Sequence, residues 1–301
     1  MKKYTYILLV SLIVFNCKDE KKNNNKLNIV TTTSMITDLV KNIAGDHVNL
    51  EGLMGSGVDP HLYKASEGDV TKLANADIIF YNGLHLEGKL VEVFEKMRNI
   101  KTVALSDALD KKTLIGSEYF ASNYDPHIWF NTDYWIQITQ YVANTLSDAL
   151  PEKKEIFQAN STAYITQLKA LKANIKSTIA TLPEDKRILV TAHDAFNYFG
   201  KAYGFKVLGL QGISTATEAG VQDVQKLSAF IIENKIKAIF VESSVPKRTI
   251  EALQAAVNSK GNNVAIGGSL YSDALGNAGT IEGTYIGMFQ YNVNTIVNAL
   301  K

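Results

Sequence analysis

Eight short β-rich runs, four on each side of a long stretch free of Pro and Gly, limit the architectures open to this chain. Leu27–Thr33, Val48–Met54, Asp77–Tyr81 and Thr102–Leu105 precede the stretch, and Arg187–Thr191, Lys206–Leu210, Ala238–Glu242 and Asn263–Ile266 follow it. Most runs are separated by segments of helical length, which predicts parallel rather than hairpin pairing. Pro151 and Pro183 bracket the stretch, inside which Ile165, Leu168, Leu171, Ile175, Ile179 and Leu182 fall in steps of three and four, one face of a helix. About 30 residues at 1.5 Å each make a rod of roughly 45 Å, long enough to run beside both halves. The expected fold class is α/β: two lobes, each a four-stranded, mostly parallel sheet flanked by helices, joined by one long backbone helix. Residues 27–150 would form the first lobe, 151–183 the linking helix and 184–301 the second lobe. A helical link of this kind predicts little hinge bending.

The first 26 residues do not fit that pattern. Lys2 and Lys3 precede Tyr6–Phe15 (YILLVSLIVF), an apolar run broken only by Ser11. A membrane span needs about 20 apolar residues, so the run reads as the core of a secretory signal. It ends near Cys17, the only cysteine in the chain, the arrangement of bacterial lipoproteins, although Asn16 stands where a small residue is usual. Residues 1–17 are therefore expected to be a lipoprotein signal with its anchor cysteine, and 18–26 (KDEKKNNNK) a flexible tether. The protein is expected in the periplasm or on the outer face of a bacterial membrane, held there by the N-terminal lipid, as a monomer. The full chain has 31 basic and 30 acidic residues; losing residues 1–16 removes two lysines and no acid, which leaves 29 and 30. With no basic stripe, nucleic acid is not an expected partner. At 46% hydrophobic and 20% charged, the composition excludes wholesale disorder.

Proline placement points to chemistry. Of five prolines, two bracket the helix, Pro246 sits where a helix should start, and the other two each precede a histidine. Asp59-Pro60-His61 and Asp125-Pro126-His127 are the same tripeptide, one after the second strand and one after the fourth. Proline fixes its own φ and biases the preceding residue to extended geometry, so each loop presents its histidine in a set direction. One such tripeptide is readily a plain turn; two in one chain suggest paired metal ligands. His193 ends a strand and is expected to lead a helix, whose N-terminus would keep the ring neutral. Asp273, directly after the last strand, is the candidate carboxylate to offset a cation's charge. Glu242, also at a strand end, is the alternative ligand or an acceptor for a histidine N–H. His85 lies at the same end of the sheet without a proline before it and is a weaker candidate, and His47 reads as a surface residue. In open α/β sheets the binding crevice lies beyond the carboxyl ends of the strands. His61, His127, His193 and Asp273 would then face one interlobe cleft, two from each lobe. Three imidazoles and a carboxylate suit Zn²⁺, and carboxylate-bearing sites also take Mn²⁺. Because the histidines must lose protons to bind, affinity is expected to collapse below about pH 6.

Gly55–Val70, Tyr81–Lys89, Asp125–Phe130, Thr191–Gly204 and Leu270–Gly276 together resemble the solute-binding lipoproteins of bacterial zinc/manganese ABC importers, over nearly all of Leu27–Lys301. The resemblance implies a protein that captures one Zn²⁺ or Mn²⁺ ion as transported substrate and delivers it to an ABC permease with its ATPase subunit. It also implies that His61, His127, His193 and Asp273 bind that ion. Histidine rather than glutamate at position 193 favours zinc in such a family, whereas the absence of a long His/Asp/Glu-rich loop weighs against a dedicated zinc carrier. Asn131-Thr132 replaces a more usual Asp-Pro, which predicts a looser turn there. Two alternatives remain. Surface lipoproteins of this family have been labelled adhesins, and a zinc hydrolase would need an open coordination position. No HExxH occurs and no catalytic residue is assigned; the absence of GxxxxGK[ST] means that transport energy would come from another subunit.

Overall fold

The computed structural model describes residues 26–301 apart from 98, 99 and 119. The expected signal, Cys17 and most of the tether lie outside the described residues. In the first lobe, strands β1 (Asn28–Thr31), β2 (Asn49–Gly52), β3 (Ile78–Tyr81) and β4 (Lys101–Ala104) form one parallel sheet in the order β2-β1-β3-β4. The central strands read NIVT and IIFY, and Ile29, Ile79 and Phe80 have no exposed surface, as expected for strands covered on both faces. Helices α1 (Ser34–Ala44), α2 (Glu67–Ala74) and α3 (Gly88–Lys96) connect them. Helix α1 buries Met35, Ile36, Leu39, Val40 and Ile43, a helical stripe, and α2 starts from a capping box in which Ser66 and Asp69 exchange bonds.

The second lobe contains β5 (Ile188–His193), β6 (Lys206–Gln211), β7 (Ala238–Glu242) and β8 (Ala265–Leu270), with α6 (Asn197–Tyr203), α7 (Val221–Glu233) and α8 (Arg248–Asn258) between them. All four expected strands are present and parallel, but they form two pairs, β5–β6 and β7–β8, rather than one four-stranded ladder. Strands β5 and β7 lie side by side, and at their carboxyl ends the His193 N–H donates to the Glu242 side chain instead of to a strand carbonyl. Gly267 is the extra residue of a bulge in β8, and a side chain there would meet Phe240 and Ala299.

Two long helices lie between the sheets in sequence, α4 (Thr132–Ala149) and α5 (Lys154–Ala180). The 27 residues of α5 span about 40 Å, and its buried face is Phe157, Ser161, Tyr164, Leu168, Leu171, Ile175 and Ile179. Tyr164 takes the buried position expected for Ile165. The final helix, α9 (Tyr285–Leu300), turns back against α5, α1 and β8. One apolar core therefore runs through both lobes. Phe130 meets Phe196 with ring centres 4.3 Å apart, and Trp135 stacks on Tyr285 at 4.8 Å. The turn expected to be loose is capped instead, because Asn131 Oδ1 accepts the Asp133 N–H at 2.9 Å and so starts α4. No helix among the described residues is long and apolar enough to cross a membrane.

Candidate metal centre

His61, His127, His193 and Asp273 come together beyond the carboxyl ends of the strands. One ligand-type atom from each lies within 4.8 Å of the other three, and all four residues are buried. His61 Nε2 is 3.3 Å from His127 Nε2; Asp273 Oδ1 is 3.6 Å from His127 Nε2, and Asp273 Oδ2 is 3.2 Å from His193 Nε2. His193 Nε2 and Asp273 Oδ1 are buried without a hydrogen-bond partner, atoms that a cation between them would satisfy.

Local geometry explains how each side chain is aimed. In the two Asp-Pro-His loops the aspartate accepts the N–H of its own histidine, His61 to Asp59 Oδ1 at 2.8 Å and His127 to Asp125 Oδ1 at 3.0 Å. Asp125 Oδ1 also lies 2.7 Å from His127 Nδ1, which places the ring proton there and turns the Nε2 lone pair inward. Asp59 differs: its other oxygen accepts the hydroxyl of Thr215, from the second lobe, at 2.5 Å. Glu242 grips His193 twice, accepting its backbone N–H at 2.9 Å and lying 2.6 Å from Nδ1. Gly209, opposite in β6, leaves room for this turn, since a side chain there would strike the backbone of His193 and Asp194. Asp273 sits beside Ser272, whose carbonyl accepts the Trp129 indole N–H at 2.9 Å, and Trp129 O accepts the Tyr285 hydroxyl at 2.7 Å. Those bonds tie the Asp273 loop to the first lobe.

The electrostatics are uneven. Burial pushes His61 down to about 3, against the opposing pull of Asp273. Burial also disfavours charge on His193, but the carboxylates of Asp273 and Glu242 outweigh it and raise its pKa well above the ordinary 6.5. Asp273 is held below the usual carboxylate range: burial opposes this, and the neighbouring His193 overcomes it. Asp59 is raised, by burial first and then by the charge of Asp273. The carboxylates thus draw positive charge to this point, the charge that a cation would supply.

Helix α6 begins at Asn197, four residues beyond His193 rather than directly after it. The expectation was of a neutral ring; the carboxylates of Asp273 and Glu242 favour the charged one. His85 stands outside the cluster: exposed, with φ 63° after Leu84 at φ 50°, it packs edge-on against Phe120, which also meets His61, the ring centres 6.3 and 6.4 Å from Phe120. His47 packs edge-on against Phe157 away from the site. The sequence reading assigned no role to Asp59 or Asp125, although both stand in the repeated tripeptide that pointed to the histidines.

The family model described as zinc-uptake complex component A, periplasmic, matches residues 29–299. The chain belongs to this family. Within it, the zinc-binding protein TroA of Treponema pallidum (strain Nichols) is 50% identical over 287 residues, 95% of this chain and 92% of that protein. The manganese-binding lipoprotein MntA of Bacillus subtilis (strain 168) is 48% identical over 282 residues, 93% and 92% of the two chains. The solved structure of the periplasmic zinc-binding protein TroA from Treponema pallidum superposes with a TM-score of 0.89 at 51% identity, covering 91% of this chain and 99% of that one. The fold class and the family expected from the motifs are thereby borne out.

Proposed function

We propose that the protein is the extracytoplasmic solute-binding component of a metal ABC importer, capturing one Zn²⁺ or Mn²⁺ ion and passing it to a membrane permease driven by a separate ATPase subunit. The observation that carries this reading is the buried convergence of three Nε2 atoms and one carboxylate within 4.8 Å. His61, His127, His193 and Asp273 supply four donors, enough to complete a tetrahedral shell. A closed shell suits capture and leaves no position for an activated water, which argues against the hydrolase alternative. Membership of the family supports the importer role. The near-equal identity to a zinc-binding and a manganese-binding relative leaves both ions as candidates, and the nitrogen-rich donor set favours zinc. Anchoring through lipidated Cys17, residence at the outer face of a membrane and a monomeric state complete the proposal. The test is calorimetric titration of Zn²⁺ and Mn²⁺ into the metal-stripped chain beside Asp273→Ala. One ion per chain, much weakened by the substitution, supports capture; no stoichiometric metal overturns it.

A further inference from the structure

The two Asp-Pro-His loops share a second feature, which crosses between the lobes. In each, one carboxylate oxygen serves its own loop: Asp59 Oδ1 and Asp125 Oδ1 accept the N–H of the histidine two residues on. The other oxygen is taken by a donor from the second lobe. Thr215 donates its hydroxyl to Asp59 Oδ2 at 2.5 Å, and Asn197 donates its side-chain amide to Asp125 Oδ2 at 3.0 Å. Both partners of Asn197 Nδ2, Asp125 Oδ2 and the Asp194 carbonyl, are acceptors, which sets the orientation of that amide. Next in the chain, Tyr198 donates its hydroxyl to the Asp125 carbonyl at 2.9 Å.

The placement of the two donors ties them to the site. Thr215 is the one buried residue of the loop 212–220, between β6 and α7, and its hydroxyl is turned to Asp59. Asn197 opens α6 four residues after His193, so a single turn carries both a metal ligand and a brace for the opposite lobe. A carboxylate held at one oxygen can still rotate about its last bond; held at both, its plane is set. In Asp125 that plane aims Oδ1 at His127 Nδ1, 2.7 Å away. Because both bonds cross between the lobes, one movement breaks them together. A hydrogen bond is lost by about 3.6 Å, so a separation of about 1 Å is enough, a motion small enough for lobes joined by a rigid helix. Asp125 is fully buried, and an oxygen left unpaired there favours reclosure.

We propose that Asn197 and Thr215 form a two-point latch: as positioning residues they lock Asp125 and Asp59, and through them His127 and His61, so that a captured ion leaves only after the lobes part. The latch rests on the capture reading above and adds to it what controls release. The full chain loaded with one Zn²⁺ is mixed with an excess of chromophoric chelator, and the rate of Zn²⁺ release is followed. Release should be about tenfold faster in Asn197→Ala and about threefold faster in Thr215→Val. Thr215→Ser, which keeps the hydroxyl, should release within about twofold of the wild type. In an Asp125→Ala background Asn197→Ala should add nothing, and in an Asp59→Ala background neither should Thr215→Val, because each donor acts only through its aspartate. A rate that either substitution leaves unchanged overturns the two-point latch. So do accelerations of the same size with and without the aspartates, the result of general loosening. Thr215→Val, with its serine rescue, decides the latch if Asn197→Ala does not fold. A wild type that holds one Zn²⁺ while the variants release it at the same rate refutes the latch alone; a wild type that holds no stoichiometric Zn²⁺ refutes the capture reading and the latch with it.

Discussion

His61 and His127, from the first lobe, are each anchored inside their own tripeptide, whereas His193 and Asp273, from the second, are anchored by residues distant in sequence. Asp59 and Asp125 stand two residues before the histidines they hold. Glu242 stands 49 residues from His193, and the Asp273 loop is tied through Ser272 to Trp129, 143 residues away. A local anchor forms as soon as its loop does, and proline pre-sets it. A remote anchor exists only after the sheet and the interlobe core have assembled. The first lobe can therefore present its ligands early, and the second completes the site and supplies its charge.

That contrast can be broken in several ways, the strongest at Asp273. Replacing it with alanine leaves a buried cation facing imidazoles alone, and the loss of about 3–5 kcal/mol corresponds to a fall in affinity on the order of 1,000-fold, read by competition with a chromophoric chelator. Glu242→Gln keeps an acceptor for the His193 N–H but removes the charge, and affinity should fall roughly 10–100-fold. Asp59→Asn, which preserves the local bond to the His61 N–H, should cost only a few-fold on the same general scale. Equal losses in these two variants would erase the distinction between remote and local support.

The pH dependence separates the lobes too. His193 must be neutral to bind a cation, and its pKa without the ion lies well above 6.5 because of the two carboxylates that outweigh its burial. Affinity should rise with pH until that pKa is passed and fall about tenfold per unit below it, so loss begins above the pH 6 expected from ordinary histidines. His61, pushed down to about 3 by burial, adds no competing proton until the pH nears that value. Calorimetry in two buffers of different ionisation enthalpy should find proton release near neutrality from His193, reduced by Glu242→Gln. Release that Glu242→Gln leaves unchanged would contradict this assignment. The smallest effects belong to Pro60→Ala and Pro126→Ala. Loosening each loop by about 0.4–1 kcal/mol should weaken binding two- to five-fold while leaving the ligands intact, measured by the same chelator competition.

What the sequence made legible follows the same division. The eight strands emerged from short β-rich runs between helical segments, most plainly β3, β5 and β7, whose buried runs are nearly continuously apolar because parallel strands are covered on both faces. The two Asp-Pro-His loops were visible because their whole anchor lies within three residues. His193 was found as a strand-end histidine, but its environment was misread: whether a helix or a carboxylate faces that ring depends on where β7 lies beside β5, which no local pattern records. Glu242 was visible as an alternative, and only the fold shows that it holds His193 by its backbone N–H and its ring Nδ1. The interrupted ladder of the second lobe, the Thr215–Asp59 bond and the Trp129–Ser272 tie are likewise products of long-range packing. Asp59 and Asp125 were the residues most open to discovery, since an aspartate two residues before a fixed backbone N–H is a recurrent turn device.

The most direct measurement is anomalous scattering at the zinc edge from crystals of the Zn²⁺-loaded chain. One ion is expected, with Nε2 of His61, His127 and His193 and one oxygen of Asp273 at about 2.0–2.2 Å. A tightly held ion elsewhere in the chain, or one in this cleft with water replacing any of those four donors, would contradict a closed capture site built by both lobes.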